Sequence, residues 1–571
     1  MILKALFDYY NRCDNLPAKG MEEKEIGFLI VLSPDGHFLR FEDCRTGKDH
    51  ARIYLVKKHV GRSSAAVANY LYDNSAYVLG YSEKSNGKEQ LYFDTFKAKV
   101  ESIADAYPDN KDITAISCFY KNSRESILGL VSQDVLWEDI KKNLSKKYST
   151  FSFRIEGDMK IVAEKKEILQ LEACEDEPRA DSLCLVSGKH GPSVDTTTAT
   201  MIPGSQATAK LVAFQVNSGY DSYGKTKCGN APISEEAEFA YTTALNSMLQ
   251  KGSRNKFLLA TRTFVFWASN NNDASKETEE SLFELLGFSE DANDDPNAKI
   301  MKVRRVFESI YSGMLKTGLD DKFYILGLAP NSARIAVVYW SETTLKDFAE
   351  KILCHFNDME IHDTRKDKKP YMGIREIISS VTLGGKMSDA TPNLPEAVVK
   401  SIFQGLPYPQ TLYSACLRRI RAEQKLTITR AAIIKAYLNR QSNNNKRIDI
   451  MLDKDNNNQG YLCGRLFAVL DKIQEDANNI SSIRERYMNA ASATPSAVFA
   501  TILNLSVHHS DKLDEGRRIY FERLKQEILD KVSAKGFPTH LDLQDQGRFF
   551  VGYYHQRQDF FTSKKEQQTT I

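Results

Sequence analysis

Long apolar runs, paired cysteines and a dominant charge are all missing from this sequence. No apolar run approaches the roughly eighteen residues of a membrane-spanning helix, and the N-terminus shows no signal-peptide pattern. The nine cysteines include no C-x-x-C pair, which argues against a disulfide framework and predicts a reducing, cytoplasmic location with no membrane partner. The formal net charge is only +2, so any nucleic-acid-binding surface must come from local segregation of charge.

Catalytic and metal-binding patterns are missing as well. The sequence contains no G-x-S-x-G, H-E-x-x-H or paired-carboxylate pattern, and its ten histidines are dispersed. Cys354-His355 and His508-His509 lack the spacing of metal ligands. Cys184 and Cys228 have no nearby histidine to activate them, so we expect buried thiols there. The sequence therefore predicts no catalytic residue, no bound metal and no cofactor.

The 571 residues, 42% of them hydrophobic, are enough for several domains with their own cores. Strand and helix patterns alternate up to about residue 393, and only helical patterns follow. We expect an α+β fold, with mixed, mostly antiparallel N-terminal and middle regions followed by an all-α C-terminal helical bundle. The expected segments are an N-terminal α+β domain (1–180), a middle α+β domain (181–393), a basic helical segment with a linker (394–450) and a C-terminal helical bundle (451–571).

Turn residues and hydrophobic runs predict individual elements. Pro34-Asp35-Gly36 predicts a turn between two strands, and the alternating run AYVLGY (76–81) predicts a strand. The run LVAFQV (211–216) predicts another strand. The segment 273–295 carries nine acidic residues against one lysine, which is typical of a solvated linker or insertion.

The stretch KKHVGRSSAAVANYLYDNSAYVLGY (57–81) places fixed positive charge beside small polar residues. Lysine and arginine hold phosphates, and serine and asparagine can hydrogen-bond base edges. Each asparagine has an ordinary alternative as a turn or helix-cap residue. The candidate DNA-binding residues are Lys57, Lys58, Arg62, Ser63, Ser64, Asn69 and Asn74.

The stretch GYDSYGKT, Gly219 to Thr226, satisfies the P-loop pattern G-x-x-x-x-G-K-[ST]. A P-loop needs a helix that begins at the Lys-Thr pair, because the helix N-terminus supplies amides for the phosphates. Here a proline follows at 232, and a helix beginning near Ser234 is favoured. We therefore expect an ordered surface loop that contacts nucleic acid through Tyr220, Tyr223, Lys225, Lys227 and Asn230; the alternative is a nucleotide-binding ATPase.

A basic strip, defined as residues 418–447, has nine cations and a single acid, Glu423. Cations concentrated on helices predict salt-dependent contact with a phosphate backbone, and the alternative is a solvated helix face. The candidate backbone contacts are Arg418, Arg419, Arg421, Lys425, Arg430 and Lys435.

Several stretches together resemble the large subunit of the type I-C CRISPR Cascade complex. They occur in the order of that family and cover most of the chain: MILKALFDYYNRC, KEIGFLIVLSPDGHFL, GRSSAAVANYLYDNSAYVLG, CLVSGKHGP, LVAFQVNSGYDSYGKTKCGNAPISEEAEFAYTTALNSML, ILGLAPNSARIAVVYW and ITRAAIIKAYLNR. The resemblance implies an RNA-guided DNA-binding subunit without catalysis. Its implied partners are the guide CRISPR RNA, the target double-stranded DNA, the Cascade backbone and guide-end-binding subunits, a small subunit and a separate helicase–nuclease.

The resemblance also assigns regions. The N-terminal stretch would recognise the short motif that flanks the target, and the turn Gly204-Ser205-Gln206 would act as a wedge at the duplex junction. The C-terminal bundle resembles the Cascade small subunit, so Met451 is a candidate internal start that yields a separate 451–571 fragment; an ordinary internal methionine is the alternative. A purely structural scaffold subunit is the rival function.

Overall fold

The structure is a computed structural model, and it describes residues 2–13, 15–60, 66–83, 87–146, 148–170, 181–200, 202–214, 221, 223–250, 252–285, 296–318, 320–364, 372–441, 447–480 and 482–562. The chain divides into two compact units. We call Cys13–Thr198 with Phe214–Ala244 the N-terminal unit, and Met1–Arg12 with Ala199–Ala213 and Leu245–Ile571 the C-terminal unit. Helix α1 (Ile2–Arg12) thus belongs to the C-terminal unit. The four-segment division made from the sequence stays a prediction.

The N-terminal unit is built on two small sheets and a separate two-stranded hairpin. Its strands are β1 (Met21–Ile26), β2 (Phe28–Leu32), β3 (Phe38–Asp43), β4 (Arg45–Gly47), β5 (His50–Lys57), β6 (Tyr72–Asn74), β7 (Thr150–Ile155), β8 (Asp181–Leu183) and β9 (His190–Pro192). One sheet has the order β3-β2-β7-β6 and another has the order β1-β5-β4. Only the β2–β7 pair is parallel among the strands of these two sheets. All five residues of β2 are buried, because this strand runs through the middle of its sheet.

The helices of this unit pack against its strands and against one another. They are α2 (Ser75–Val78), α3 (Glu89–Ala106), α4 (Lys111–Phe119), α5 (Arg124–Val131), α6 (Trp137–Asn143) and α7 (Lys166–Leu169). Helix α4 packs on β2 and β7, and α5 packs on β3. The predicted turn at Pro34-Asp35-Gly36 is confirmed between β2 and β3. Gly36 is required there, since its φ is +85° and a Cβ would lie 2.4 Å from the carbonyl oxygen of Ala115.

The predicted strand at 76–81 is wrong. Asn74 accepts hydrogen bonds from the amides of Ala76 and Tyr77, so its side chain caps helix α2 instead. An asparagine that competes for backbone amides in this way overrides the alternating pattern of the residues that follow it.

The C-terminal unit contains an antiparallel sheet with the order β10-β11-β12-β13. The strands are β10 (Lys256–Leu259), β11 (Arg262–Ala268), β12 (Lys322–Asn331) and β13 (Arg334–Thr344). Trp267 lies beside Tyr324 and Trp340 on the sheet, and Tyr9 of α1 packs edge-on against Trp267. Arg12 at the end of α1 donates to the carbonyl oxygen of Ala268 at 2.7 Å, which fixes α1 to this sheet.

Helices make up the rest of this unit. They are α9 (Asp273–Leu285), α10 (Pro296–Tyr311), α11 (Leu345–Met359), α12 (Ile374–Ser380), α13 (Leu394–Phe403), α14 (Gln410–Glu423), α15 (Ile428–Gln441), α16 (Gln459–Asn478), α17 (Ser482–Ala493), α18 (Pro495–Ser510), α19 (Glu515–Leu529) and α20 (Leu543–Asp559), while α8 (Glu235–Leu249) crosses the boundary between the units. The expected α+β fold class, with helices alone towards the C-terminus, is confirmed. No helix among the described residues has the length and apolar character needed to cross a membrane.

The two helices that pack most closely are α16 and α20. A Cβ added to Gly464 would lie 1.9 Å from the carbonyl oxygen of Phe549, and one added to Gly552 would lie 2.3 Å from that of Tyr461. The two backbones therefore touch, because glycine leaves no side chain between them.

Two further expectations are wrong. The segment 273–285 is helix α9 rather than a linker, since Ala274 and Leu282 are buried in the core and Glu279 accepts a hydrogen bond from the amide of Ala268. Residues 211–214 form no strand, and the remainder of that predicted strand lies outside the described residues.

Candidate nucleic-acid interface

The end of strand β5 is held firmly in the N-terminal unit. Lys57 pairs with Met21 in the β1–β5 ladder, and its carbonyl oxygen accepts the Tyr72 hydroxyl at 2.6 Å. The amide of Lys58 donates to the carbonyl oxygen of Gly20. This part of the candidate site therefore begins from a rigid strand end.

Glu22 holds the residues that follow the strand. Its carboxylate accepts the amide of His59 at 3.2 Å and the Tyr72 hydroxyl at 3.0 Å, and it lies 2.7 Å from the Nδ1 atom of His59. Burial acts to raise the pKa of Glu22, but hydrogen bonds and charge from His59 outweigh burial and lower it. An ionised Glu22 therefore ties β1 to the candidate site, a contact that no motif in the sequence indicates.

Lys57 and Lys58 have different surroundings. Lys57 is buried, and its ammonium group lies 4.7 Å from the centre of the Tyr70 ring. Lys58 is half-buried; it donates to the Thr198 hydroxyl at 3.0 Å and lies 3.9 Å from the Glu238 carboxylate. Lys58 thus joins the end of β5 to the first turns of α8, and its charge is partly neutralised there.

The two asparagines of this stretch have structural roles. The side-chain oxygen of Asn69 accepts the amide of Val60 at 2.9 Å, and Asn69 is itself buried. Asn74 caps α2. Their use as turn and cap residues was the alternative left open by the sequence, and their oxygens are already engaged. The predicted contacts Arg62, Ser63 and Ser64 lie outside the described residues.

The loop before α8 is strongly exposed at its tip. Tyr223 is fully exposed with a φ of 53°, and Gly224 and Lys225 beside it are exposed as well. Lys227 pairs with Asp195 at 3.0 Å, and the side chain of Asn230 donates to the carbonyl oxygens of Lys225 and Lys227. Asn230 therefore closes the loop, while Tyr223 and Lys225 are presented at its surface. The predicted contact Tyr220 lies outside the described residues.

This loop lacks the geometry of a P-loop. After Thr226 the chain makes a short 3-10 turn over Lys227–Asn230, and α8 begins only at Glu235. The hydroxyl of Ser234 accepts the amide of Ala237, as expected for the residue before that helix. Among the described residues no helix begins at Lys225 or Thr226, so this stretch lacks the helix N-terminus whose amides bind phosphates in a P-loop.

Gln206 lies in the C-terminal unit, on the turn predicted as a wedge. Gly204 has a φ of +83°, and the amide of Gln206 donates to the carbonyl oxygen of Ser332 at 3.3 Å. The turn is thereby fixed beside the β12–β13 hairpin, with the side chain of Gln206 exposed.

Two cations of the basic strip are buried inside the C-terminal unit. Arg430 is buried and donates to the carbonyl oxygens of Ser380 and Lys425, and Lys435 is buried at 2% exposure. Burial lowers the pKa of Lys435, because the charged form of an ammonium group is less favourable away from water. Positive charge in the sequence predicted a surface, but these two side chains are enclosed by the helices around them. Arg430 and Lys435 are therefore not exposed for contact with a nucleic-acid backbone.

Two of the other four candidate backbone contacts have side-chain partners within the unit, and two have none among the described residues. Arg419 pairs with Glu423 one helical turn away, and Arg421 donates to the side chain of Gln546. Arg418 and Lys425 are exposed, and neither has an ion pair in the described part of the chain. The free positive charge of the strip is thus much smaller than its composition indicates.

The C-terminal segment that starts at Met451 shares its core with preceding helices. Helix α20 packs against α15 as well as α16, and the Tyr413 hydroxyl donates to the carbonyl oxygen of Leu543 at 2.6 Å. Met451 itself is half-buried in the connection between α15 and α16. A 451–571 fragment would expose the face of α20 that α14 and α15 cover in the full chain.

The cysteines match the expectation of buried thiols at two positions. Cys184 and Cys228 are both buried. Burial acts to raise the pKa of Cys184, but hydrogen bonds from Ser187 and Ser234 lower it to about 7, whereas burial raises the pKa of Cys228. None of the eight cysteines in the described ranges forms a disulfide, and those ranges bring together no cluster of three or more histidine, cysteine, aspartate or glutamate residues able to hold a metal.

The profile of the family described as CRISPR-associated protein (Cas_Csd1) matches residues 6–561. The chain belongs to this family. Because the match spans nearly all of both units, it confirms the resemblance to a Cascade large subunit, which works in a ribonucleoprotein complex with other CRISPR-associated subunits. No curated protein matches the sequence.

Proposed function

We propose that this Cas_Csd1 family member is the large subunit of a type I-C CRISPR RNA-guided effector complex and acts in the cytoplasm without catalysis of its own. It recognises the short protospacer-adjacent motif in target double-stranded DNA, promotes duplex opening and R-loop formation, and helps to recruit a separate helicase–nuclease. Its proposed partners are the guide CRISPR RNA, the target duplex, the backbone and guide-end-binding subunits and a small subunit. The family match over residues 6–561 is the observation that carries this proposal.

The geometry of the N-terminal unit supports it as the reader of the flanking motif. The β5 end bears Lys57 and Lys58, and the bond from Val60 to Asn69 closes the base of the segment between them. In RNA-guided complexes, base pairing reads the target while the protein reads only the short flank. A small, rigidly anchored site is sufficient for that task, and Arg62, Ser63 and Ser64 remain the candidate base and phosphate contacts.

A second surface of the same unit fits the opened duplex. Tyr223 and Lys225 are exposed side by side on the loop before α8. Aromatic rings stack on unpaired bases, and neighbouring cations hold the backbone. The exposed Gln206 turn, which belongs to the C-terminal unit, remains the candidate wedge.

The proposal is tested by duplex opening. Guide-loaded complexes are assembled with and without this chain, and opening is followed by a fluorescent base analogue placed next to the flanking motif. We expect opening only when both the chain and the correct flank are present. Equal opening without the chain would contradict the proposal and leave the scaffold function. ATP hydrolysis by the purified chain that is lost in Lys225→Ala would instead establish the nucleotide-binding alternative.

We also propose that the 451–571 segment is produced separately from Met451 as a small subunit. Its support is the all-helical character of the segment and the position of Met451 in the connection between α15 and α16. Expression of the full gene with Met451→Leu should remove a C-terminal fragment of this size while leaving the long chain. A fragment that persists in the variant would exclude this start.

A further inference from the structure

A second lysine lies on the Tyr70 ring beside Lys57. Lys99 comes from helix α3, and its ammonium group lies 4.1 Å from the centre of that ring, against 4.7 Å for Lys57. Both distances are within the range of a cation–π contact. Lys57 and Lys99 are 42 positions apart in the sequence, so no motif reveals their meeting. We call Lys57 and Lys99, the two lysines that contact Tyr70, the Tyr70 lysine pair.

The charge of Lys99 is not neutralised by its own helix. The positions three and four residues away are Phe96, Thr95, Ser102 and Ile103, none of which is acidic. In the part of the chain that the structure describes, Lys99 makes no ion pair. Lys99 is half-buried, whereas Lys57 and Tyr70 are buried.

The ammonium groups of Lys57 and Lys99 both lie within about 5 Å of the centre of the Tyr70 ring, so positive charge from two separate elements is concentrated there. The negative face of the ring stabilises both ammonium groups. Because Lys99 is half-exposed, an anion can reach its ammonium group, and the nearby charge of Lys57 adds to the attraction.

We propose that the Tyr70 lysine pair binds a backbone phosphate of the target DNA duplex, with Lys99 as the contacting residue and Lys57 as the supporting charge. This rests on the proposed function, because Lys57 ends the strand that leads into the proposed flank reader. The pair holds a phosphate of the duplex backbone, so it fixes the position of the duplex and carries no base preference.

The test measures how duplex affinity depends on salt. Guide-loaded complexes that contain wild-type chain, Lys99→Met or Lys99→Arg are titrated with one matched duplex between 50 and 200 mM salt. Methionine keeps an apolar stem on Tyr70 and removes only the charge. We expect the slope of log affinity against log salt to become shallower by about 0.9 in Lys99→Met, so that its deficit at 50 mM is about threefold larger than at 200 mM. Lys99→Arg should keep the wild-type slope.

Lys97→Met is the matched control. Lys97 lies on the same helix but has Asp94 three residues before it and Glu101 four residues after it. Its loss should leave the slope unchanged. An equal loss in both variants would overturn the proposal, since it would reflect net charge alone, and so would an unchanged slope in Lys99→Met.

Two further readouts separate this inference from the proposed function. Lys99→Met should preserve the ratio of affinities between correct and incorrect flanks, and it should retain guide RNA as wild type does. Loss of guide RNA with an unchanged duplex slope would assign the pair to RNA and overturn the proposal. A wild-type complex that ignores the flank would refute the proposed function, whereas a shallower slope in Lys99→Met would still support the phosphate site.

Discussion

Helix α16 meets helix α20 backbone to backbone at Gly464, and Gly464→Ala perturbs this contact with the smallest possible side chain. The added Cβ would lie 1.9 Å from the carbonyl oxygen of Phe549 and 2.8 Å from its carbonyl carbon. Neither atom belongs to a side chain that could rotate away, so the two helices must move apart. Overpacking of this kind costs about 1–3 kcal/mol and sometimes more.

Helix propensity opposes that cost only in part. Because the atoms that the Cβ meets are backbone atoms, we place the overpacking cost at the upper end of that range. Alanine is favoured over glycine inside a helix by about 1 kcal/mol, so we expect Gly464→Ala to lower the free energy of unfolding by about 2 kcal/mol. Gly129→Ala is the control, because Gly129 lies inside α5 with nothing within 4 Å of an added Cβ. That variant should be more stable by about 0.5–1 kcal/mol.

The assay is hydrogen exchange of peptides from α16 and α20, with thermal unfolding of the whole chain as a second measure. We expect hydrogen exchange in both helices to be faster in Gly464→Ala than in wild type, and to be no faster than wild type in Gly129→Ala. Wild-type protection in Gly464→Ala would refute the close packing of these two helices.

Three further predictions follow from individual contacts. Asn74→Ala removes the cap of α2 and should cost about 1 kcal/mol in thermal or denaturant unfolding, whereas Asn74→Ser keeps a capping oxygen and should cost less; equal losses would exclude the cap as the cause. Arg440→Met strands the buried Asp358 carboxylate and should cost about 3–5 kcal/mol, against less than about 0.5 kcal/mol for the exposed Arg418→Met; similar stabilities of the two variants in urea would contradict a buried pair. Burial lowers the pKa of His355 and of His555 to about 3, so the unfolded chain takes up these protons near pH 6.5 and the folded chain does not. Stability that is present above about pH 6.5 should therefore be lost as the pH falls, by about 2 kcal/mol per histidine at pH 5, and His555→Gln should flatten the curve of unfolding free energy against pH; an unchanged curve would contradict the assignment.

Local patterns in the sequence are sufficient to indicate several strands and the start of one helix. The runs FVFWA, FYILGLA and ARIAVVYW are apolar and rich in aromatic and β-branched residues, and they form β11, β12 and β13. The serine before two glutamates predicted where α8 begins. These signals act over a few residues, so they do not depend on the rest of the fold.

Features that depend on distant contacts could not be predicted in the same way. Helix α20 contains Gly547 and Gly552, which weaken a helical pattern in the sequence but are required where α20 touches Tyr413 and α16. Arg430 and Lys435 have the composition of a surface strip, yet their neighbours from other helices enclose them. Charge alone does not reveal burial, because the partners that enclose or neutralise a cation come from elsewhere in the chain.

In the candidate interface, too, residues on one segment could be predicted from the sequence and residues from distant segments could not. The sequence identified Lys57 and Lys58 from their local concentration of charge, and the structure places both at the end of β5. It did not identify Lys99 or Glu22, because each reaches the site from a separate element. The sequence thus predicts only those interface residues that lie together on one continuous segment.

Recognition of the flanking motif is tested most directly by equilibrium binding of the guide-loaded complex to target duplexes at one fixed salt concentration. The three flanking base pairs are permuted, and wild type is compared with Arg62→Ala. We expect wild type to bind one set of flanks more tightly than the others, and Arg62→Ala to lose about 1–3 kcal/mol of that discrimination for each base contact removed. Wild-type binding that is equal for every flank would contradict recognition of the motif by this chain.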